Sequence, residues 1–169
     1  MAYDALFNAP KSLAQAPVWT RSDPEKAVLW FDVPIEIDGL VVANFTLHGE
    51  CRLDLQDQNV GLELIHRSAG GYRRRALGRL DWLSIKGGHT NKKRRGWPYP
   101  CPRTPPTHYH SFDLNWLGDT NMRPGDLPVA DGIDGELQTF ESMRAMAGFL
   151  FRISNIELVP RPPWVYTLV

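Results

Sequence analysis

Between Leu40 and Ile85, apolar and polar residues alternate along three successive runs, and this period of two constrains the fold most strongly. In the first run Val41, Ala43, Phe45 and Leu47 fall on one side. It extends to Leu53 and Leu55 with a bulge expected near Gly49. In the second, Val60, Leu62, Leu64 and His66 oppose Glu63 and Ile65. In the third, Leu80, Trp82 and Ser84 share a face. Asp38-Gly39, Gln56 to Asn59 and Ser68 to Gly71 punctuate the runs with turn chemistry. Strands over 40–55, 60–67 and 75–84, joined by short turns, predict an antiparallel meander.

The flanks are read from the same signals. Met1 to Pro24 carries three prolines and predicts an N-terminal surface arm over 1–24, anchored by Trp19. Ala27 to Phe31 is a short apolar run that Asp32-Val33-Pro34 should end in a turn, because proline has no N–H to donate to a central strand. Residues 107–114 are expected to return to the sheet. The Gly- and Pro-rich stretch 115–134 predicts a loop. Phe140, Met143, Met146, Ala147 and Leu150 recur at helical spacing, predicting a helix over 136–150 capped by Asp134 or Gly135. Ile153 to Val159 is expected as an edge strand, and Trp164 to Val169 as a short strand-like end. The fold class is α+β. A single domain over 1–169 holds a curved antiparallel β-sheet, with one main C-terminal helix packed on one face.

A hydrophobic share of 43% excludes a wholly disordered chain. No window of ~18 apolar residues is present, so no membrane span is expected. Cys51 and Cys101 are isolated, and no secretory signal is visible at Met1, which makes the cytoplasm the expected location. The net charge of zero conceals segregation. From Arg73 to Arg103 there are ten Lys or Arg against Asp81, whereas Asp113 to Glu141 holds seven acids against Arg123. A basic stretch of this kind marks either a surface for an anionic partner or a loop neutralised by the acidic segment.

That basic stretch contains a long loop over 86–107, and loops of this length inside a compact domain are usually functional or disordered. It carries Gly87-Gly88-His89, four consecutive cations Lys92, Lys93, Arg94 and Arg95, and ends in Thr107-His108-Tyr109-His110. On a strand, His108 and His110 point the same way about 7 Å apart. Gly87 and Gly88 would let the His89 loop approach closely. His89, His108 and His110 are therefore candidate acid–base groups, or candidate ligands of a zinc ion with an open position. The neighbouring cations weigh against a metal through like-charge repulsion and favour a phosphate. Arg73, Arg74 and Lys92 to Arg95 are candidate phosphate contacts, and Trp97 and Tyr99 candidate stacking surfaces for unpaired bases. No Gly-x-Ser-x-Gly elbow, phosphate-binding Gly-Lys-Ser/Thr loop or His-Glu-x-x-His helix is present.

Arg79-Leu80-Asp81-Trp82, Gly88-His89-Thr90-Asn91 and Thr107-His108-Tyr109-His110 together resemble a pattern in small uncharacterised proteins of prokaryotic mobile elements and defence or toxin-related loci. The resemblance covers a minor part of the chain and implies nucleic-acid biology. The expectation is a metal-independent ribonuclease of toxin type, acting on RNA or another single-stranded nucleic acid without a cofactor. The alternatives are a non-catalytic inhibitor or adaptor with a protein partner, and a His-ligated metalloprotein that holds zinc.

Overall fold

The computed structural model describes residues 2–21, 25–68, 74–97, 101–118, 121–124, 126–133, 135 and 137–165. Helix α1 (Tyr3–Asn8) and strand β1 (Ser12–Leu13) precede β2 (Val28–Ile37), β3 (Leu40–Arg52), β4 (Val60–Arg67) and β5 (Arg74–Trp82). After the long loop come β6 (His108–His110), α2 (Phe112–Asn115), β7 (Trp116–Gly118), β8 (Asn121–Met122), β9 (Asp131–Gly132) and α3 (Phe140–Phe151). Strands β1 to β6 pair in chain order and β9 closes the far edge, giving a curved, open, antiparallel seven-stranded sheet. A separate small ribbon joins β7 to β8. No helix among the described residues is long and apolar enough to cross a membrane.

Alternation divides the sheet into two unlike faces. Leu29, Phe31, Val33, Phe45, Leu47, Cys51, Leu62, Leu64, Leu80 and Trp82 are buried on one of them. There they meet Phe140, Met143, Ala147 and Phe151 of α3 and Leu6 and Phe7 of α1 in one hydrophobic cluster. Burying side chains of this size supplies the main driving force for folding, roughly 1.5–3 kcal/mol apiece. The other face carries the charged and imidazole side chains, in register across the strands. Asp32, His48, Glu63, Arg79 and His110 are successive Cα partners from β2 to β6. The adjacent row runs Trp30, Glu50, Gly61, Asp81, His108.

Several expectations need correction. Strand β2 runs straight through Pro34 instead of turning there. The Pro34 carbonyl accepts from the Ala14 N–H at 3.0 Å. Its missing N–H lies on that same edge, where β1 has ended, so no bond to β3 is lost. No bulge occurs at Gly49, where alternation continues unbroken because the glycine makes room for the Phe31 ring. The extra residues of β3 lie nearer its start, between the Pro34 and Glu36 pairings, where Asn44 takes φ +61°. The N-terminal arm holds a helix that inserts Leu6 and Phe7 into the core, besides the expected anchor Trp19. Helix α3 is capped by Thr139 and Ser142, which bond each other's backbone N–H reciprocally. Ile153 to Val159 is not an edge strand; it contains a 3-10 turn over Ile156–Leu158, with Ile156 seated against Gly148. Of the strand-like end, Trp164 and Val165 have no regular structure and 166–169 lie outside the described residues.

Candidate functional site

Sheet register places the chemistry. Asp81 faces His108 and Arg79 faces His110, because β5 and β6 pair antiparallel. The i, i+2 spacing of the two histidines turns both rings to the polar face, 5.0 Å apart at their centroids. His89 arrives from the loop, 4.7 Å from the His110 ring and 6.0 Å from that of His108. Gly88 permits this approach: a Cβ there would stand 1.5 Å from the Thr104 carbonyl oxygen. His89 N–H then bonds Thr104 Oγ1 at 2.8 Å, and Thr104 N–H bonds the His89 carbonyl at 2.9 Å.

Backbone carbonyls fix the ring protons. His110 Nδ1–H donates to Leu127 O at 2.6 Å, His108 Nδ1–H to Pro105 O at 3.1 Å and His89 Nε2–H to Pro128 O at 2.9 Å. The next two residues are held by buried asparagines. Asn115 donates to Val129 O and accepts from Val129 N–H; Asn91 does the same with Ala130. Residues 127–130 thus form a short spine, each residue tied by its main chain to one polar side chain. Neither asparagine nor the spine is marked by sequence periodicity, since the bonds are to backbone; only the buried Asn91 falls in a motif read beforehand.

Arg79 knits the cluster together. Its Nε donates to Asp81 Oδ2 at 2.9 Å, and its terminal nitrogen donates to His110 Nε2 at 2.7 Å. His108 Nε2 lies 3.2 Å from the same Asp81 oxygen. Both nitrogens of His108 therefore face oxygen acceptors. His110 is neutral, its pKa pushed down to about 4 chiefly by burial. His89 is also shifted down, burial again leading. Burial acts to raise Asp81, yet its bond to His108 and the charge of Arg79 prevail, so the carboxylate is held well below its usual range.

An open cleft of about 600 Å³ lies over this face. His48, Glu63, Arg74, Arg79, Asp81, His89 and His108 all line it, whereas His110 is fully buried and does not. Glu63, like Arg79 and Asp81, is a site residue that sequence reading did not single out, since an acidic residue opposite an apolar one is the usual signature of a solvated strand face. Here it is only 5% exposed, and one oxygen pairs with Arg74 while Oε1 has no hydrogen-bond partner. Burial pushes its pKa up to about 7 against the opposing charge of Arg74.

The other sequence candidates fall elsewhere. Lys92, Lys93, Arg94 and Arg95 are exposed, and among the described residues no ion pair joins them to the acidic stretch 113–141. Arg74 does reach that stretch, 3.6 Å from Asp126. Trp97 is half-buried, with the guanidinium groups of Arg94 and Arg123 centred 4.7 and 5.1 Å from its ring. Its indole is therefore in contact with two cations. Arg73 and Tyr99 lie outside the described residues. Among the described residues, Asp81, His108 and His110 are a trio that could hold a metal, with ligand atoms within 4.8 Å of one another. The Arg79 guanidinium already bonds two of those three groups, however, and a divalent ion would have to displace it. No protein family, curated protein or solved structure matches this chain.

Proposed function

We propose that the protein cleaves the phosphodiester backbone of RNA without a metal, by acid–base chemistry in this cleft. The observation that carries the reading is the convergence of Arg74, Arg79 and the His108–Asp81 pair on one open cleft of an otherwise two-faced sheet. Arg79, braced by Asp81 and His110, offers a fixed guanidinium to the phosphate oxygens, where negative charge grows in the transition state. His108, held by Asp81 and Pro105, is the proton donor to the leaving oxygen. His110 is a positioning residue, buried and neutral, that accepts from Arg79. The exposed cations Lys92 to Arg95 supply sequence-independent attraction for the backbone.

RNA is favoured over DNA because no second nucleophile is needed. The 2′-oxygen attacks the adjacent phosphorus as it loses its proton, the bond from phosphorus to the 5′-oxygen breaks, and that oxygen takes a proton from His108. The products are a 2′,3′-cyclic phosphate and a 5′-hydroxyl. His108→Gln tests the donor. It should slow cleavage of an RNA oligonucleotide roughly 10²–10⁴-fold, while circular dichroism and oligonucleotide binding stay as in wild type. Unchanged cleavage by this variant would remove His108 from the reaction.

A further inference from the structure

We infer that Glu63 is the proton acceptor that activates the 2′-hydroxyl. This rests on the ribonuclease reading and assigns its missing half. Two residues that line the cleft can take a proton, His89 through Nδ1 and Glu63 through its carboxylate, whose Oε1 is buried and has no hydrogen-bond partner.

Placement separates them. An in-line displacement needs acceptor and donor on opposite sides of the phosphorus. Glu63 is the cross-strand partner of Arg79, and Arg79 stands between it and the strand bearing His108. With strands spaced about 4.8 Å apart, Glu63 and β6 are roughly 10 Å apart at the backbone, with Arg79 midway. A phosphate bonded to Arg79 would thus sit with Glu63 on one flank and His108 on the other. His89 stands on the donor's flank, in contact with His108 and His110. It also comes from a loop, whereas Glu63 is built into the centre of the sheet.

Environment points the same way. Glu63 has one oxygen held by Arg74 and one buried oxygen without a partner, in a residue that lines the cleft. Its charged neighbours are Arg74, Arg79 and Asp81 of β5 and Asp126, which lies between β8 and β9; His48 of β3 is its other cross-strand partner. Burial outweighs the two arginines and raises the carboxyl to about 7, which makes it a stronger base than an ordinary carboxylate at neutral pH. His89 is shifted the other way, burial lowering it. In the step, Glu63 takes the 2′-hydroxyl proton while that oxygen bonds to phosphorus. His108 releases its proton to the 5′-oxygen, so charge and atoms balance with no co-reactant.

The experiment is a pH profile of kcat/KM on an RNA oligonucleotide for wild type, Glu63→Gln, Glu63→Asp and His89→Gln. Binding of the non-cleavable 2′-deoxy oligonucleotide and thermal unfolding are measured alongside. Glu63→Gln should lower the rate roughly 10²–10⁴-fold and abolish the acidic limb near pH 7, with Tm not reduced and deoxy-oligonucleotide binding retained. Glu63→Asp should restore a titrating limb at a reduced rate, and His89→Gln should keep the wild-type limb. A wild type that cleaves, with Glu63→Gln equally fast or its acidic limb intact, overturns the role of Glu63 and leaves the ribonuclease reading standing. The same holds if His89→Gln removes the limb. A wild type that binds the deoxy oligonucleotide yet leaves RNA whole overturns both.

Discussion

Replacing Glu63 by Gln should change how stability depends on pH. The carboxyl is 7% exposed at its side chain, and its pKa rises from an ordinary 4.5 to about 7. Between those values the folded protein binds the proton more tightly than the unfolded chain. The resulting stabilisation is complete below about pH 4.5 and is lost as pH rises through about 7. At 1.36 kcal/mol per pH unit, the stability lost from this group between pH 5 and pH 8 is about 2–3 kcal/mol. Gln resembles the protonated carboxyl in shape and does not ionise. Urea unfolding at pH 5 and at pH 8 should therefore show Glu63→Gln gaining about 2–3 kcal/mol on wild type across that interval. His110 contributes in the opposite sense: its folded value is depressed to about 4, so its share is present above about 6.5 and lost as pH falls. Subtracting wild type from variant removes that contribution. Stability profiles that run parallel from pH 5 to pH 8 would show that Arg74 compensates the buried charge, and would refute the ledger in which burial wins.

Three further outcomes follow from contacts around the cleft. Gly88→Ala places a methyl group against the Thr104 and Pro105 carbonyls, so Pro105, whose carbonyl holds the His108 ring, must shift; cleavage should fall at least ~10-fold while far-ultraviolet circular dichroism of the sheet is unchanged, and full activity would contradict the close approach. Asn91→Ala leaves Cys101 O and both main-chain groups of Ala130 without their bonds; urea unfolding should show a loss of about 2–4 kcal/mol, and a loss under 1 kcal/mol would mean the 127–130 spine is held otherwise. Changing Lys92, Lys93, Arg94 and Arg95 together to Ala should weaken RNA binding and flatten its dependence on salt, because fewer counterions are released; an unchanged salt slope in a fluorescence titration would exclude these cations from the interface.

The sheet was legible because its signal is local. Period-two runs and the Asp38-Gly39 turn, whose residues both take positive φ, define a meander without reference to distant contacts. Pro34 misled for the opposite reason: whether its missing N–H matters depends on where a neighbouring two-residue strand stops. Ile153 to Val159 carries strand-like residues, but the end of α3 at Arg152, in a left-handed conformation, folds Ile153 and Ile156 back onto Gly148. At the site, His108 and His110 could be placed together because i and i+2 on a strand share a face, and Gly87-Gly88 signalled the close approach of His89. That His110 is buried away from the cleft while His108 lines it goes with its bond to the Leu127 carbonyl, a contact distant in sequence that no periodicity encodes. Glu63 and Arg79 became a pair only once the register of β4 and β5 was known.

The reaction itself is tested most directly by incubating purified protein with an RNA oligonucleotide and its 2′-O-methyl counterpart, with chelator present, and reading the products by phosphorus NMR. The account predicts a 2′,3′-cyclic phosphate resonance from the RNA, none from the methylated strand, and no effect of the chelator. Intact RNA would contradict it, as would equal cleavage of both strands. Activity that disappears with chelator and returns with zinc would instead assign Asp81, His108 and His110 to a metal centre.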